Sequence, residues 1–406
     1  MPFSFFTKKR KNSNQTYLSL DVGTEFVKTV IFDLAGNKVN VRGVGRVRQP
    51  ISAVKNGQVT NVKNVVDTSK SAIEKATLSI QSFPPTDVAI GVAGELVRGI
   101  PVVVNYNREK PEEKITFDEV SKVMDKIQEM SMQEARKIFV ESTGKENPLV
   151  KPINTTVVDA YIDEYRVETP IGFPGKAVKL TIYTTYAPLI HIGALDSVAK
   201  ALKLHPILIS AEPFAVARSL KGAREENFES IIIDVGGGTT DIAIVKKGGV
   251  VDTHMIAFGG RVFTKRIAQE MNIDYDKAEK MKIDYSNNGL ERPIANIVKK
   301  AVSKDMHLWI TGVELALKEF TSVKVFPSTI LLCGGGSLLP EIKDALIQHP
   351  WTDVLQFERV PKVVFLKPEN IDSINDPDGL AMGIDMVTPL SLARLVLDLQ
   401  DEMKGA

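Results

Sequence analysis

Two aspartates stand where apolar runs stop. Ile231-Ile232-Ile233 leads into Asp234-Val235-Gly236-Gly237-Gly238-Thr239-Thr240-Asp241, and 17–20 leads into Asp21-Val22-Gly23-Thr24. A carboxylate at the end of a buried strand, followed by a glycine-bearing turn, puts a hard anionic ligand beside exposed backbone N–H groups. Carboxylates suit a divalent cation, and N–H groups with threonine hydroxyls suit phosphate oxygens. Neither turn is a Walker A loop, because no Gly-Lys-Ser/Thr follows it. Neither is a dinucleotide fingerprint, because Gly236 to Gly238 are contiguous and a strand follows. Taken alone, the turn Gly236-Gly237-Gly238 also admits the reading of an ordinary glycine-rich hairpin.

The elements around them decide more. Both stretches read as strand, turn, strand, so a weak internal duplication is expected. Two such hairpins facing each other across a cleft clamp a polyphosphate and a metal, which one hairpin cannot do. Between them, Asn64 reads as the cap of a helix to about residue 80, and Pro84-Pro85 breaks the chain. A strand is predicted over 87–92. A helix is predicted over 115–138, with Thr116 as cap and Glu119 completing a capping box. Strands are expected over 155–167 and 176–185 around the turn Pro170-Ile171-Gly172-Phe173-Pro174-Gly175. Residues 86–186 thus form a small α+β unit inserted in the first half. Helices are predicted over 189–202, 212–220, 262–271 and 274–281, with a strand at 206–209. One or two helices occupy 294–324. A strand at 329–332 runs into Cys333-Gly334-Gly335-Gly336-Ser337. Helices follow over 340–348 and 389–403, and a small-residue helix starts at 379–383.

Composition excludes several classes. The chain has 406 residues, 43% hydrophobic and 25% charged, with net charge +1. That is a globular balance with no bulk field for nucleic acid. The single Cys333 excludes a disulfide framework and fits a reducing compartment, hence the cytoplasm. No run approaches the roughly 20 apolar residues of a membrane span. Phe3, Phe5 and Phe6 precede Lys8, Lys9, Arg10 and Lys11. This start reads either as a solvated tail or as a weak contact with the cytoplasmic face of a membrane. Lys299, Lys300 and Lys304 read as a solvated helix face.

Three features now stand in one order: an Asp-x-Gly-Thr hairpin, an Asp-x-Gly-Gly-Gly-Thr hairpin, and a strand followed by Gly-Gly-Gly-Ser. This order resembles the superfamily of actin, sugar kinases and heat-shock-chaperone ATPases. Within it the chain resembles the FtsA family and its relative PilM. The resemblance is carried by 52–62 (SAVKNGQVTNV), 87–95 (DVAIGVAGE), 115–120 (ITFDEV), 170–175 (PIGFPG), Phe258-Gly259-Gly260, Thr264, Ile267-Ala268, Ala278-Glu279 and Lys282. It implies an actin-like α/β ATPase fold: two ribonuclease-H-like domains around a nucleotide cleft, with an inserted small α+β subdomain. The implied division is a tail over 1–16, domain 1 over 17–85 and 187–228, and the insertion over 86–186. Domain 2 covers 229–264 and 326–388, its helical subdomain 265–325, and a terminal helix over 389–406 returns to domain 1.

The resemblance also implies roles. Asp21 and Asp234 hold Mg²⁺ through water. Gly23 and Thr24 face the phosphates of ATP from one side, and Gly236, Gly237, Gly238 and Thr239 from the other. Gly259 and Gly260 close under the nucleotide, Glu279 and Lys282 reach the ribose, and Gly334, Gly335 and Gly336 admit the adenine. Ala211-Glu212-Pro213 departs from FtsA and looks like the Glu-Pro segment of MreB and chaperone ATPases, which makes Glu212 a candidate for ordering water; a first-turn glutamate serving the helix dipole is the alternative. The terminal stripe Leu392, Leu395, Val396, Leu399 and Met403 reads as a core helix rather than the basic membrane helix of FtsA. The implied function is a membrane-proximal division adaptor that binds an FtsZ-type filament tail, self-assembles, and hydrolyses ATP slowly at most. The alternatives are a PilM-like adaptor of type IV pilus assembly and a sugar-kinase-like phosphotransferase.

Overall fold

β-Branched and aromatic runs bounded by glycine and asparagine build two hairpin-centred sheets. The structure, a computed structural model, describes residues 15–405 except 81–82, 94–96, 145, 147, 168, 223–227, 247–248 and 321–322. The tail bearing Phe3, Phe5, Phe6, Lys8, Lys9, Arg10 and Lys11 lies outside the described residues, as do Gly94 and Glu95.

The first half begins with β1 (Thr16–Val22), β2 (Phe26–Ala35) and β3 (Lys38–Arg48), then the small pair β4 (Val54–Lys55) and β5 (Gln58–Val59), helix α1 (Val62–Thr77) and β6 (Asp87–Val92). Asn61 is extended and its side chain accepts from the backbone N–H of Asn64, so Asn61, not Asn64, caps α1. The chain then leaves this sheet through β7 (Arg98–Asn107), α2 (Phe117–Thr143), β8 (Val150–Ile162), β9 (Tyr165–Val167) and β10 (Ala177–Pro188). It returns through α3 (Leu189–Ala201), β11 (His205–Ala211) and α4 (Glu212–Ser219). The second half runs β12 (Ser230–Val235), β13 (Thr240–Lys246), β14 (Gly249–Ile256), α5 (Gly260–Met271), α6 (Tyr275–Ser286) and α7 (Arg292–Lys318). It ends with β15 (Thr329–Cys333), α8 (Pro340–Gln348), α9 (Trp351–Val354), β16 (Lys362–Phe365), β17 (Ile374–Asn375) and α10 (Val387–Gly405).

The two halves repeat one topology. The first sheet has the order β11-β6-β1-β2-β3-β17 and the second β14-β13-β12-β15-β16. In each, a central strand pairs antiparallel with the next strand in sequence and parallel with a later one: β1 with β2 and β6, β12 with β13 and β15. The internal duplication read from Asp21 and Asp234 is therefore a duplication of sheets. Each half has its own apolar core, one around Leu18, Leu20 and Phe32 under α4 and α10, the other around Ile231, Ile233 and Trp309.

Several expectations shift. β6 pairs with β1 and β11, so 87–92 belongs to the first sheet and the inserted sheet β7-β10-β8-β9 starts at Arg98. Residues 155–167 are not one strand, because Asp163 and Glu164 both take positive φ (47° and 72°) and fold β8 back onto β9. Thr116 caps α2 as expected, but Glu119 turns away to a bidentate pair with Arg108, so the box is half formed. Among the described residues, the stretch 294–324 holds a single helix, α7. Residues 379–383 are a turn rather than a helix start: Gly379 has φ +63°, and the Asp376 carboxylate accepts from the N–H groups of Leu380 and Ala381. Strand β3 escaped the sequence because Gly43 and Gly45 read as punctuation, and β7 because Pro101 sits inside it.

The insertion docks on both halves. Tyr183 of β10 shares a 2.8 Å hydrogen bond with Thr253 of β14. Asn154 of β8 accepts at 2.8 Å from the N–H of Ala211, the residue before Glu212. Among the described residues, no helix is long and apolar enough to cross a membrane.

Candidate functional site

Hairpin geometry decides which side chains meet. In an antiparallel pair the residues directly opposite share one face. Asp21, one residue from the end of β1, lies opposite Lys28, and Asp234, one residue from the end of β12, lies opposite Asp241. The partner stands seven positions on in both halves. One half thus answers its aspartate with a lysine and the other with a second aspartate.

Glu212 joins them from the first residue of α4, delivered by β11. All five side chains line a cavity of about 580 Å³ between the halves. That volume is ordinary for a ligand pocket. Lys28 Nζ stands 2.7 Å from Asp21 Oδ2 and donates to the main-chain oxygen of Asp385 at 2.8 Å. Burial opposes the lysine's charge, but Asp21 and Asp385 outweigh it, and its pKa stands above the ordinary lysine value. The acids are pushed the other way. Burial raises Asp234, opposed by Lys28 and by a hydrogen bond from Thr388. Burial, then the charge of Asp234, pushes Asp241 up to about 7. Glu212 stands well above the usual carboxylate range, from burial first and from Asp21, Asp241 and Asp234 after it.

This donor set fits a hydrated divalent cation. Four carboxylates converge with more negative charge than Lys28 neutralises. Among the described residues, however, no three His, Cys, Asp or Glu side chains stand close enough to grip a bare metal ion. Mg²⁺ keeps several waters and takes its remaining ligands from phosphate, so Asp21 and Asp234 would hold it through water.

The glycines divide into two groups. Gly23, Gly236, Gly237, Gly260, Gly334, Gly335 and Gly336 line the cavity with Thr24 and Thr239. Gly334 has φ +83°, and a Cβ there would stand 2.1 Å from Asp234 Oδ1, so only glycine fits. Gly238 and Gly259 do not line the cavity as expected. A Cβ on Gly238 would stand 2.7 Å from the Thr24 side chain, and one on Gly259 would stand 2.7 Å from Gly236 O. Gly238 lets the two hairpin turns touch, and Gly259 seats α5 under the second turn, whose Gly236 and Gly237 carbonyls accept from the N–H groups of Gly260 and Arg261. Glu279 and Lys282 line the wall 2.7 Å apart, and Lys282 also donates to Thr264 Oγ1 at 2.8 Å.

Sequence reasoning missed a clasp beside these turns. Arg261, the second residue of α5, donates from Nε to Glu25 Oε2 and from Nη2 to the main-chain oxygen of Thr24, both at 2.6 Å. Its Nη1 reaches Ile51 O at 3.1 Å. Arg48 holds the other oxygen of Glu25 at 2.7 Å and Asp276 at 2.9 Å. Glu25 is one residue past the expected Thr24 and Arg261 one past Gly260, but nothing in the spacing shows that they meet.

The profile of the family described as cell division protein FtsA matches residues 231–381. The chain is 26% identical over 279 residues to the cell division protein FtsA of Bacillus subtilis (strain 168), covering 67% of this chain and 58% of that protein. It is 26% identical over 279 residues to the cell division protein FtsA of Neisseria meningitidis serogroup B, covering 67% and 62%. The matched part spans less than two thirds of either relative. Among solved structures, a chain of the PilM-PilN type IV pilus biogenesis complex superposes with a TM-score of 0.62 at 16% identity, covering 94% of this chain and 98% of that one. The ethanolamine utilization protein EutJ from Carboxydothermus hydrogenoformans gives 0.51 at 16% identity, covering 94% and 91%. The sequence is FtsA-like, and the fold is the actin-like ATPase fold with two halves around a cleft.

The raised acids have a pH consequence for the protein free of divalent cations. Asp241 keeps its proton in the folded state up to about pH 7 and loses it near 3.8 when unfolded. Its contribution is full below pH 3.8 and is lost as pH rises toward 7. Asp241→Asn should therefore gain on the order of 2 kcal/mol over the unaltered chain at pH 8 and nothing near pH 4. Urea unfolding at both pH values in EDTA checks this; an equal effect at both contradicts it.

Proposed function

We propose that this FtsA-like chain binds ATP with Mg²⁺ between its halves and acts as an adaptor whose assembly follows that occupancy. The observation that carries the reading is the convergence of Asp21, Asp234, Asp241 and Glu212 beneath two glycine turns that touch each other. Asp21 and Asp234 hold the hydrated cation, which when bound supplies the positive charge that Lys28 alone cannot. N–H groups of Gly23, Gly236 and Gly237, with the hydroxyls of Thr24 and Thr239, face the phosphates. Glu279 and Lys282 orient the ribose, and Gly334 to Gly336 leave room for the adenine. Glu212 orders a water for slow hydrolysis at most.

The FtsA-like sequence supports the adaptor reading: a membrane-proximal link to an FtsZ-type filament tail, with self-association. Helix α7 supports a partner surface within 265–325. Ile297, Lys304, Leu308 and Leu315 recur at helical spacing along it, and the three apolar residues are about half exposed. Such a stripe suits an amphipathic tail. The N-terminal aromatics and basic residues are proposed as the membrane contact.

A PilM-like role in type IV pilus assembly is the second reading. What supports it is the fold that this chain shares, over 94% of its length, with a chain of the PilM-PilN type IV pilus biogenesis complex.

Two measurements separate these claims. Calorimetry should show Mg²⁺–ATP binding to the full chain and none to Asp234→Ala; unaltered affinity in the variant removes the cleft assignment. A pull-down should retain an FtsZ C-terminal peptide and not the cytoplasmic tail of a pilus membrane protein; the reverse result selects the second reading.

A further inference from the structure

One aspartate of the pair is held by a side chain from the opposite half. Thr388 is the second residue of α10, the helix that packs back on β1, β2 and β6. Its Oγ1 donates to Asp234 Oδ2 at 2.8 Å. It is 4% exposed and lines the cavity. The other carboxylate oxygen, Oδ1, lies under Gly334, where a Cβ would stand only 2.1 Å away. The carboxylate is thus tied at one oxygen and confined at the other.

The same segment reaches the second aspartate. Three residues before Thr388, the main-chain oxygen of Asp385 accepts from Lys28 Nζ, which pairs with Asp21. Asp385 Oδ2 in turn accepts from Arg46 Nε at 2.9 Å. Residues 385–388 therefore touch Asp234 directly and Asp21 through one lysine. Leu390, Leu392 and Ala393 follow at once and are fully buried in the first half's core.

We propose that Thr388 is a positioning residue for Asp234, so that the cation site is complete only when the terminal helix α10 is seated. The inference rests on the nucleotide reading given above. A hydroxyl donating to a carboxylate favours its ionised form and fixes its orientation before any ligand arrives, and a cation bound there would draw on that orientation.

Calorimetry of ATP binding to the full chain, in Mg²⁺ and separately in EDTA, tests this. Thr388→Val keeps the shape and removes the donor. It should lower ATP affinity about tenfold in Mg²⁺ and leave it unchanged in EDTA. Thr388→Ser should restore the Mg²⁺-dependent part. A valine variant with the full Mg²⁺ gain overturns the proposal. So does an equal loss in Mg²⁺ and EDTA that serine does not rescue, since that is the mark of a merely structural residue. Failure of the unaltered chain to bind ATP at all would instead overturn the nucleotide reading, and this proposal with it.

Discussion

Asp21, Asp234, Asp241 and Glu212 converge on one cavity with Lys28, which pairs with Asp21, and that excess of negative charge is the constraint the rest of the molecule answers to. Burial penalises each ionised acid, and the neighbours add repulsion. In a sealed core such a group would be replaced or neutralised. Here the acids stand at strand ends and at a helix start, on backbone that cannot retreat, because the sheets behind them are packed with Leu18, Leu20, Ile231 and Ile233. Lys28 answers only part of that charge, and the raised pKa values of Asp234, Asp241 and Glu212 answer the rest within the chain.

The same constraint explains how the halves meet. Two hairpins that each carry an acid would repel if nothing tied them. Gly238 lets the turns touch at Thr24, and Arg261 reaches across to Glu25 and the Thr24 carbonyl. The ties lie beside the acids rather than through them. Lys28 and Thr388 hold the acids themselves: Lys28 pairs with Asp21 across the first hairpin and also donates to Asp385 just before α10, and Thr388 in the first turn of α10 donates to Asp234.

Much of this was legible in the sequence because it is local. An apolar run, an aspartate and contiguous glycines define strand, ligand and turn without reference to anything distant. The hairpins around Asp21 and Asp234, the Gly334 turn and the start of α4 at Glu212 all fall where pattern placed them. The cross-strand partners Lys28 and Asp241 were within reach, since a two-sided hairpin fixes who stands opposite whom, but register had to be counted to see it. Glu25, Arg261 and Thr388 were not legible, because their roles depend on contacts over 150 to 240 residues of chain. Gly238 and Gly259 show the converse. A glycine in a phosphate-like turn is needed as much for hairpin against hairpin as for the ligand, and residue type alone does not separate the two. Asn61 and Asn64 show how two plausible caps three residues apart are resolved only by which backbone is extended.

The proposed cation would have to displace protons from the acids of the cleft. The proton that Asp241 holds up to about pH 7 should leave when the cation enters. Calorimetric titration of Mg²⁺–ATP near pH 7, in two buffers of different ionisation enthalpy, counts the protons directly. Net proton release is expected; a binding heat independent of the buffer would show that no acid of the cleft gives up a proton to the cation.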